Sequence, residues 1–428
     1  MRLYRSRVLH TPENPFETFA ALVAHEDGAV AVAPDGTIGA VGEFAEVCAA
    51  FPEATVIDRR DSVLLPGFVD AHVHFPQVDV VGAMGMGLLE WLERRTFPAE
   101  ARFADAEFAR IEAREFLRLL AASGTTSALV FGSHFSEATD VFMAQAQESG
   151  LRISSGVTLG DRLVPAPLRT TPAAAREEMQ ALIDRWHGQG RLRYAVTPRF
   201  SLSCSQELLD VCGEVLRDNP GVLFTSHLNE TLDEIAGVLR DFPDAGDYLQ
   251  TYELSGLVGE RSVFAHNLHA SDSELQRMAA SGAVACHCPS SNLFIGSGLF
   301  PLRRHLEAGV RLALGSDLGG GTGLGLLREG LDAYKTQMIR EDGYRLGAAH
   351  LLYLATAAGA QALQLPQVGW FGEGMEFDAQ FLRPRPGSLL ASRWEGAAGP
   401  EDRLAALFTL HGDAEVMDVL VAGRSVLG

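Results

Sequence analysis

Lysine is almost missing from this chain. Of its 35 basic residues only Lys335 is a lysine, and the rest are arginines outnumbered by 55 acids, for a net charge of −20. A surface that negative repels phosphate backbones and anionic lipid, which excludes nucleic acid and membrane surfaces as partners. Cysteine is also scarce: Cys48, Cys204, Cys212, Cys286 and Cys288 are five, scattered, with no CxxC pair, so neither a disulfide framework nor a cysteine zinc site is expected. No window of ~18 uninterrupted apolar residues is present to span a membrane. Met1 to Pro15 is broken by charges and prolines and lacks the apolar stretch of a signal peptide, so the cytoplasm is the expected location. What remains is an ordinary globular composition, 47% hydrophobic and 21% charged over 428 residues, with ample material for a large core.

Both ends of the chain read as β-rich. In the first 65 residues, apolar stretches flank Asp35-Gly36 between Ala29 and Gly42, a hairpin signal, and Val56-Ile57 and Val63 to Leu65 continue the short strands. Near the other end Phe377 to Leu382, Leu404 to Thr409 and Val416 to Val426 are apolar runs separated by turn residues. The middle differs. Strand-like runs at 127–131, 152–158, 193–197, 222–226, 262–265, 283–286 and 311–314 alternate with helical stretches such as 105–122, 172–187 and 206–218. Alternation over ~300 residues predicts an α/β fold with a parallel sheet, and at this length a (β/α)8 barrel. An open doubly wound sheet would give the same periodicity.

His72-Val73-His74 stands at the end of one apolar run. Residues two apart on a strand face the same side, so both imidazoles can reach one metal ion. His227, His266 and Asp317 follow three further apolar runs in the same way, and barrel active sites lie at the C-terminal ends of strands. Three imidazoles and a carboxylate suit Zn²⁺ with a position left for water, and would suit Fe²⁺ as well. Glu230, three residues after His227, reads either as a proton carrier or as a solvated carboxylate at a helix start. The glycines at 319, 320 and 321 superficially suggest a phosphate cradle, but no Gly-Lys-Ser/Thr follows. His25-Glu26 lacks the PCxxC partner of the other zinc deaminase design.

Pro66 to His74, Ser226 to Glu230, His266-Asn267 and Gly315-Ser316-Asp317 together resemble the amidohydrolase superfamily, over essentially the whole chain. The resemblance implies a (β/α)8 TIM-like barrel over residues 67–372 and a small β-sandwich domain from residues 1–66 and 373–428. It also implies metal ligands His72, His74, His227 and Asp317, and catalytic residues Glu230, His266 and Asp317. Binuclear members bridge their metals with a lysine on the fourth strand; residues 193–204 hold none, so one zinc per chain is expected. Finer motifs resemble the guanine deaminases: His74 to Gln77, Leu88 to Leu92 with Thr96 to Glu100, Pro198 to Ser205, and His287 to Pro289 with Ser291 to Leu293. They imply a purine held by Gln77, Arg199, Phe200, His227 and Glu230. Trp91 and Phe97 read as core.

The implied reaction is hydrolysis of guanine to xanthine and ammonia by a zinc-activated water. Glu230 carries a proton to N3, Asp317 takes one from the water, and His266 holds the water or the metal. Arg199 suits the guanine acceptors O6 and N7. The glycine run after Asp317 is one residue longer than the related pattern and leaves open another aminopurine, 8-oxoguanine, a pterin or a hydrolytic dechlorination. A catalytically inactive barrel used for assembly is the reading from a different class. A homodimer is among the assemblies left open.

Overall fold

The computed structural model describes residues 1–427. Eight parallel strands run in sequence order through Phe68–His74, Thr125–Phe131, Arg152–Gly156, Arg193–Pro198, Leu223–Leu228, Ser262–His266, Val284–His287 and Arg311–Leu314. The two-residue strand Thr158–Leu159 extends the third and pairs with the fourth. The last strand lies against the first, and the amide of Asp317 donates to the carbonyl of His72 at 2.9 Å. The sheet is therefore a nearly closed barrel and not an open doubly wound sheet. Its strands are buried along almost their whole length, as expected for parallel strands covered on both faces.

Helices fall where the 3.6-residue spacing places them. Ala106–Ala122 starts at Asp105, whose side chain accepts from the amides of Glu107 and Phe108, satisfying donors that a helix start leaves free. It buries Ala109, Ala113, Phe116, Leu117 and Leu120. Pro172–Trp186 opens on the Thr171 cap with proline in its first turn, and Gln206–Asp218 opens on the Ser205 cap.

The chain ends form a second layer, one hydrogen-bonded mixed sheet of seven strands: Arg2–His10, Val23–Val32, Ile38–Glu43 and Thr55–Pro66 with Ala379–Pro384, Ala414–Val421 and Arg424–Ser425. The buried Arg152 of the third barrel strand donates to Asp378 at 2.6 Å and to Glu376 at 2.6 Å, tying this layer to the barrel. Two expectations for the ends fail. Leu404–Thr409 is not a strand but lies in the helix Pro400–Thr409, which has proline in its first turn, acids Glu401 and Asp402 beside it, and Leu404, Leu407 and Phe408 on one buried face. That spacing is helical, and a six-residue window was too short to show it. Phe44–Ala50, within the stretch read as strands, is a short helix over the sheet. Among the described residues no helix is long and apolar enough to cross a membrane.

Candidate metal centre and purine pocket

Every candidate ligand sits at a C-terminal strand end. His72 and His74 close the first strand, His227 is the last residue but one of the fifth, and Asp317 follows the eighth. Their ligand atoms lie within 4.8 Å of one another, all buried. His74 Nε2 is 3.2 Å from His72 Nε2 and 3.3 Å from His227 Nε2. Asp317 Oδ1 lies 3.2 Å from both His72 Nε2 and His74 Nε2. Burial first, then the close packing of the His72, His74 and His266 rings, which opposes adding a positive charge, depresses His227 well below the ordinary histidine range. Burial likewise lowers His72, and lowers His74 to about 4, so these rings are neutral near pH 7. Burial opposes the charge of Asp317, but contacts with His72 and His74 outweigh it and hold the carboxyl well below its usual range.

Three neutral imidazole edges and a carboxylate thus converge. His227 Nδ1–H donates to the carbonyl of Arg199 at 2.6 Å, which leaves the Nε2 lone pair facing the cluster. Lone pairs packed this closely need a cation between them. Four of the six separations, at 3.2–3.3 Å, also match the ~3.3 Å edge of a tetrahedron whose metal–nitrogen bonds are ~2.0–2.1 Å. The donor set therefore fits Zn²⁺.

Two residues that sequence reasoning missed hold the ligands in place. Asp70 is fully buried and accepts from the amide of His72 at 3.2 Å, the amide of Ser316 at 3.0 Å and the Ser316 hydroxyl, locking the first ligand strand to the last. Gly315 makes room for this closure, since a Cβ there would lie 2.8 Å from the Cβ of His72. Asp317 itself has φ +45° and His266 φ +70°, left-handed backbone that costs non-glycine residues ~1–3 kcal/mol and collects at functional sites.

Beside the ligands, His266 Nδ1–H donates to Asn292 Oδ1 at 2.9 Å. Its Nε2 faces Glu230 Oε2 at 3.5 Å and Asp317 Oδ2 at 3.7 Å. Glu230 is 3% exposed and its Oε1 accepts from the Ser297 hydroxyl at 2.9 Å. The helix-start alternative for Glu230 fails, because the capping box of the following helix is made by Thr231 and Glu234. Burial first, then the charge of Asp317, pushes the Glu230 carboxyl up to about 8, a group able to hold and release a proton near neutrality.

A cavity opens onto these groups, lined also by Gln77, Trp91, Arg199, Phe200, Ser291 and Gly320. Arg199 Nη1 donates to Glu100 Oε2 at 2.7 Å, and Gln77 Nε2 donates to Glu100 Oε1 at 2.9 Å. His134 Nε2 faces the same carboxylate at 3.3 Å. Trp91 and Phe97 are both buried in the core, as expected; Trp91 also lines the cavity, and Phe97 lies beneath the Arg199 guanidinium, 5.2 Å from ring centroid to Cζ. The glycine run after Asp317 packs on the pocket wall: at Gly319, φ +113°, any side chain would collide with Gln77. Glu100 and His134 escaped notice as partners because each reaches Arg199 only through the fold.

The amidohydrolase family model matches residues 63–426. A probable guanine deaminase of Deinococcus radiodurans is 56% identical over all of this chain and 98% of that protein. The structure of Escherichia coli guanine deaminase superposes with a TM-score of 0.96 at 35% identity, covering 99% of both chains. That of guanine deaminase from C. acetobutylicum, with guanine bound in its active site, superposes with a TM-score of 0.91 at 26% identity, also over 99% of each. The chain belongs to the amidohydrolase family.

Proposed function

We propose that this chain hydrolyses guanine to xanthine and ammonia at the strand-end centre. The observation that carries the reading is the meeting, in one buried cavity, of the four-ligand cluster, Glu230, and the polar pair Arg199 and Gln77, in a chain similar end to end to guanine deaminases. His72, His74, His227 and Asp317 would hold one Zn²⁺ per chain, with no lysine at the end of the fourth strand to bridge a second. When bound, the ion supplies a water of lowered pKa.

The side chains do the rest. Phe200 forms the purine pocket, and Arg199 and Gln77 fix the ring so that C2 faces the ligand cluster. His266 and Asp317 orient the attacking water, whose oxygen forms a bond to C2. Asp317 takes one proton of the water and Glu230 delivers its own to N3; the proton on Asp317 then passes to the exocyclic nitrogen, and the new C2 hydroxyl returns its proton to Glu230 as the C2–N bond breaks. Guanine and water become xanthine and ammonia, with every proton accounted for. His227 serves both as ligand and as a wall of the pocket. A panel of guanine, 8-oxoguanine, other aminopurines and pterins, assayed for ammonia release, tests the reading. Guanine should give the highest kcat/KM, and a clear preference for another ring would overturn it.

A further inference from the structure

Glu100 makes contacts that burying Arg199's charge would not by itself require. Its carboxylate, 2% exposed, collects the Gln77 amide on Oε1, Arg199 Nη1 on both oxygens, and His134 on Oε2. A carboxylate only accepts hydrogen bonds, so the Gln77 group facing it must be the NH₂. Turning that amide over would set one acceptor against another. Its Oε1 is consequently forced away from Glu100, and it is buried without a hydrogen-bond partner in the protein. Arg199 is constrained in a complementary way. Only Nη1 is used, and among the described residues its Nε and Nη2 have no acceptor. Both residues line the same cavity.

We propose that Glu100 is a positioning residue that sets the polarity of this pair: Gln77 as a fixed acceptor beside Arg199 as a fixed donor, a combination that selects purines carrying a lactam, with N–H next to C=O. The inference rests on the purine-hydrolase reading above and deepens it. Guanine presents N1–H and O6 along that edge, matching both. 2,6-Diaminopurine presents a bare ring nitrogen and an NH₂, opposing both, although its 2-amino group is equally available for hydrolysis. Discrimination is then built from two mismatches, each leaving buried polar groups unpaired, which is the strongest form of rejection a pocket can make.

The test compares kcat/KM for guanine with that for loss of the 2-amino group from 2,6-diaminopurine. Glu100→Gln introduces an amide that can donate to Gln77, so Gln77 is free to turn over and one mismatch disappears. The guanine to diaminopurine ratio should fall at least ~tenfold, with zinc content unchanged. Gln77→Leu leaves the Arg199–Glu100 ion pair intact and should lower the ratio in the same direction, so the test survives if Glu100→Gln fails to fold. A merely structural Glu100 would lower both substrates together. Wild-type ratios in both variants, with guanine turned over by the parent, would overturn this inference alone. A parent chain that releases ammonia from no 2-aminopurine would overturn the functional reading instead.

Discussion

Replacing Glu230 by glutamine alters little of the structure and removes one chemical capability. The side chain is buried, its Oε1 accepts from Ser297, and its other oxygen faces His266 at 3.5 Å without entering the ligand cluster. Glutamine keeps the volume and, with its oxygen toward Ser297, keeps that hydrogen bond. It cannot take up a proton. General acid–base groups contribute ~10²–10⁴ in rate, and this one acts both in protonating N3 and in taking back the proton of the C2 hydroxyl. A thousandfold loss of kcat is the expected scale, ~4 kcal/mol at 1.36 kcal/mol per decade. Steady-state ammonia release should show that loss with KM little changed, while zinc per chain and melting temperature stay at parental values. Near-normal kcat would refute the proton-carrier role. Loss of zinc would instead make Glu230 a ligand and break the coordination set.

Three other outcomes follow from named contacts. Metal analysis should find about one zinc per chain, and His72→Ala or Asp317→Ala should lose most of it, since each removes one of four converging donors; two tightly bound ions per chain would contradict the mononuclear centre. Arg199→Ala should keep zinc and lose ~10–100-fold in kcat/KM for guanine, and should also melt lower, because Glu100 is left as an unpaired buried charge; unchanged kcat/KM would place Arg199 outside substrate recognition. Glu329 is fully buried and burial raises its carboxyl to about 8, above the unfolded value, so its neutral form is favoured by folding. Its contribution to stability is fully present below 4.5, the unfolded value, and is lost as pH rises from there to about 8. Glu329→Gln should thus gain in melting temperature relative to the parent as pH rises from about 5 to about 8 and level off above that, and a pH-independent difference would refute the assignment.

Much of the site was legible because it is local. His72-Val73-His74 carries its own geometry, and His227, His266 and Asp317 each stand at the end of an apolar run whose strand character is plain in the sequence. Closure of the barrel could not be read that way, since it depends on Asp70 meeting Ser316 across the sheet. The same holds for Glu100, which meets Gln77 and Arg199 only when the segment after the first strand folds back over the barrel mouth. Trp91 shows the limit of composition: an aromatic in an amphipathic stretch reads as core, and only packing shows that it borders a cavity. At the C-terminal end, Leu404 to Thr409 misled because the helix begins at Pro400 and its polar first turn lies outside the apolar run.

The central claim is a hydrolysis at C2 of guanine, and isotope-labelled water tests it most directly. The purified zinc-loaded chain is given guanine in H₂¹⁸O, and the purine product and ammonia are both measured. The account predicts xanthine carrying one ¹⁸O at C2, and one ammonia for each xanthine formed. Guanine recovered unchanged, or a product labelled elsewhere on the ring, would contradict it.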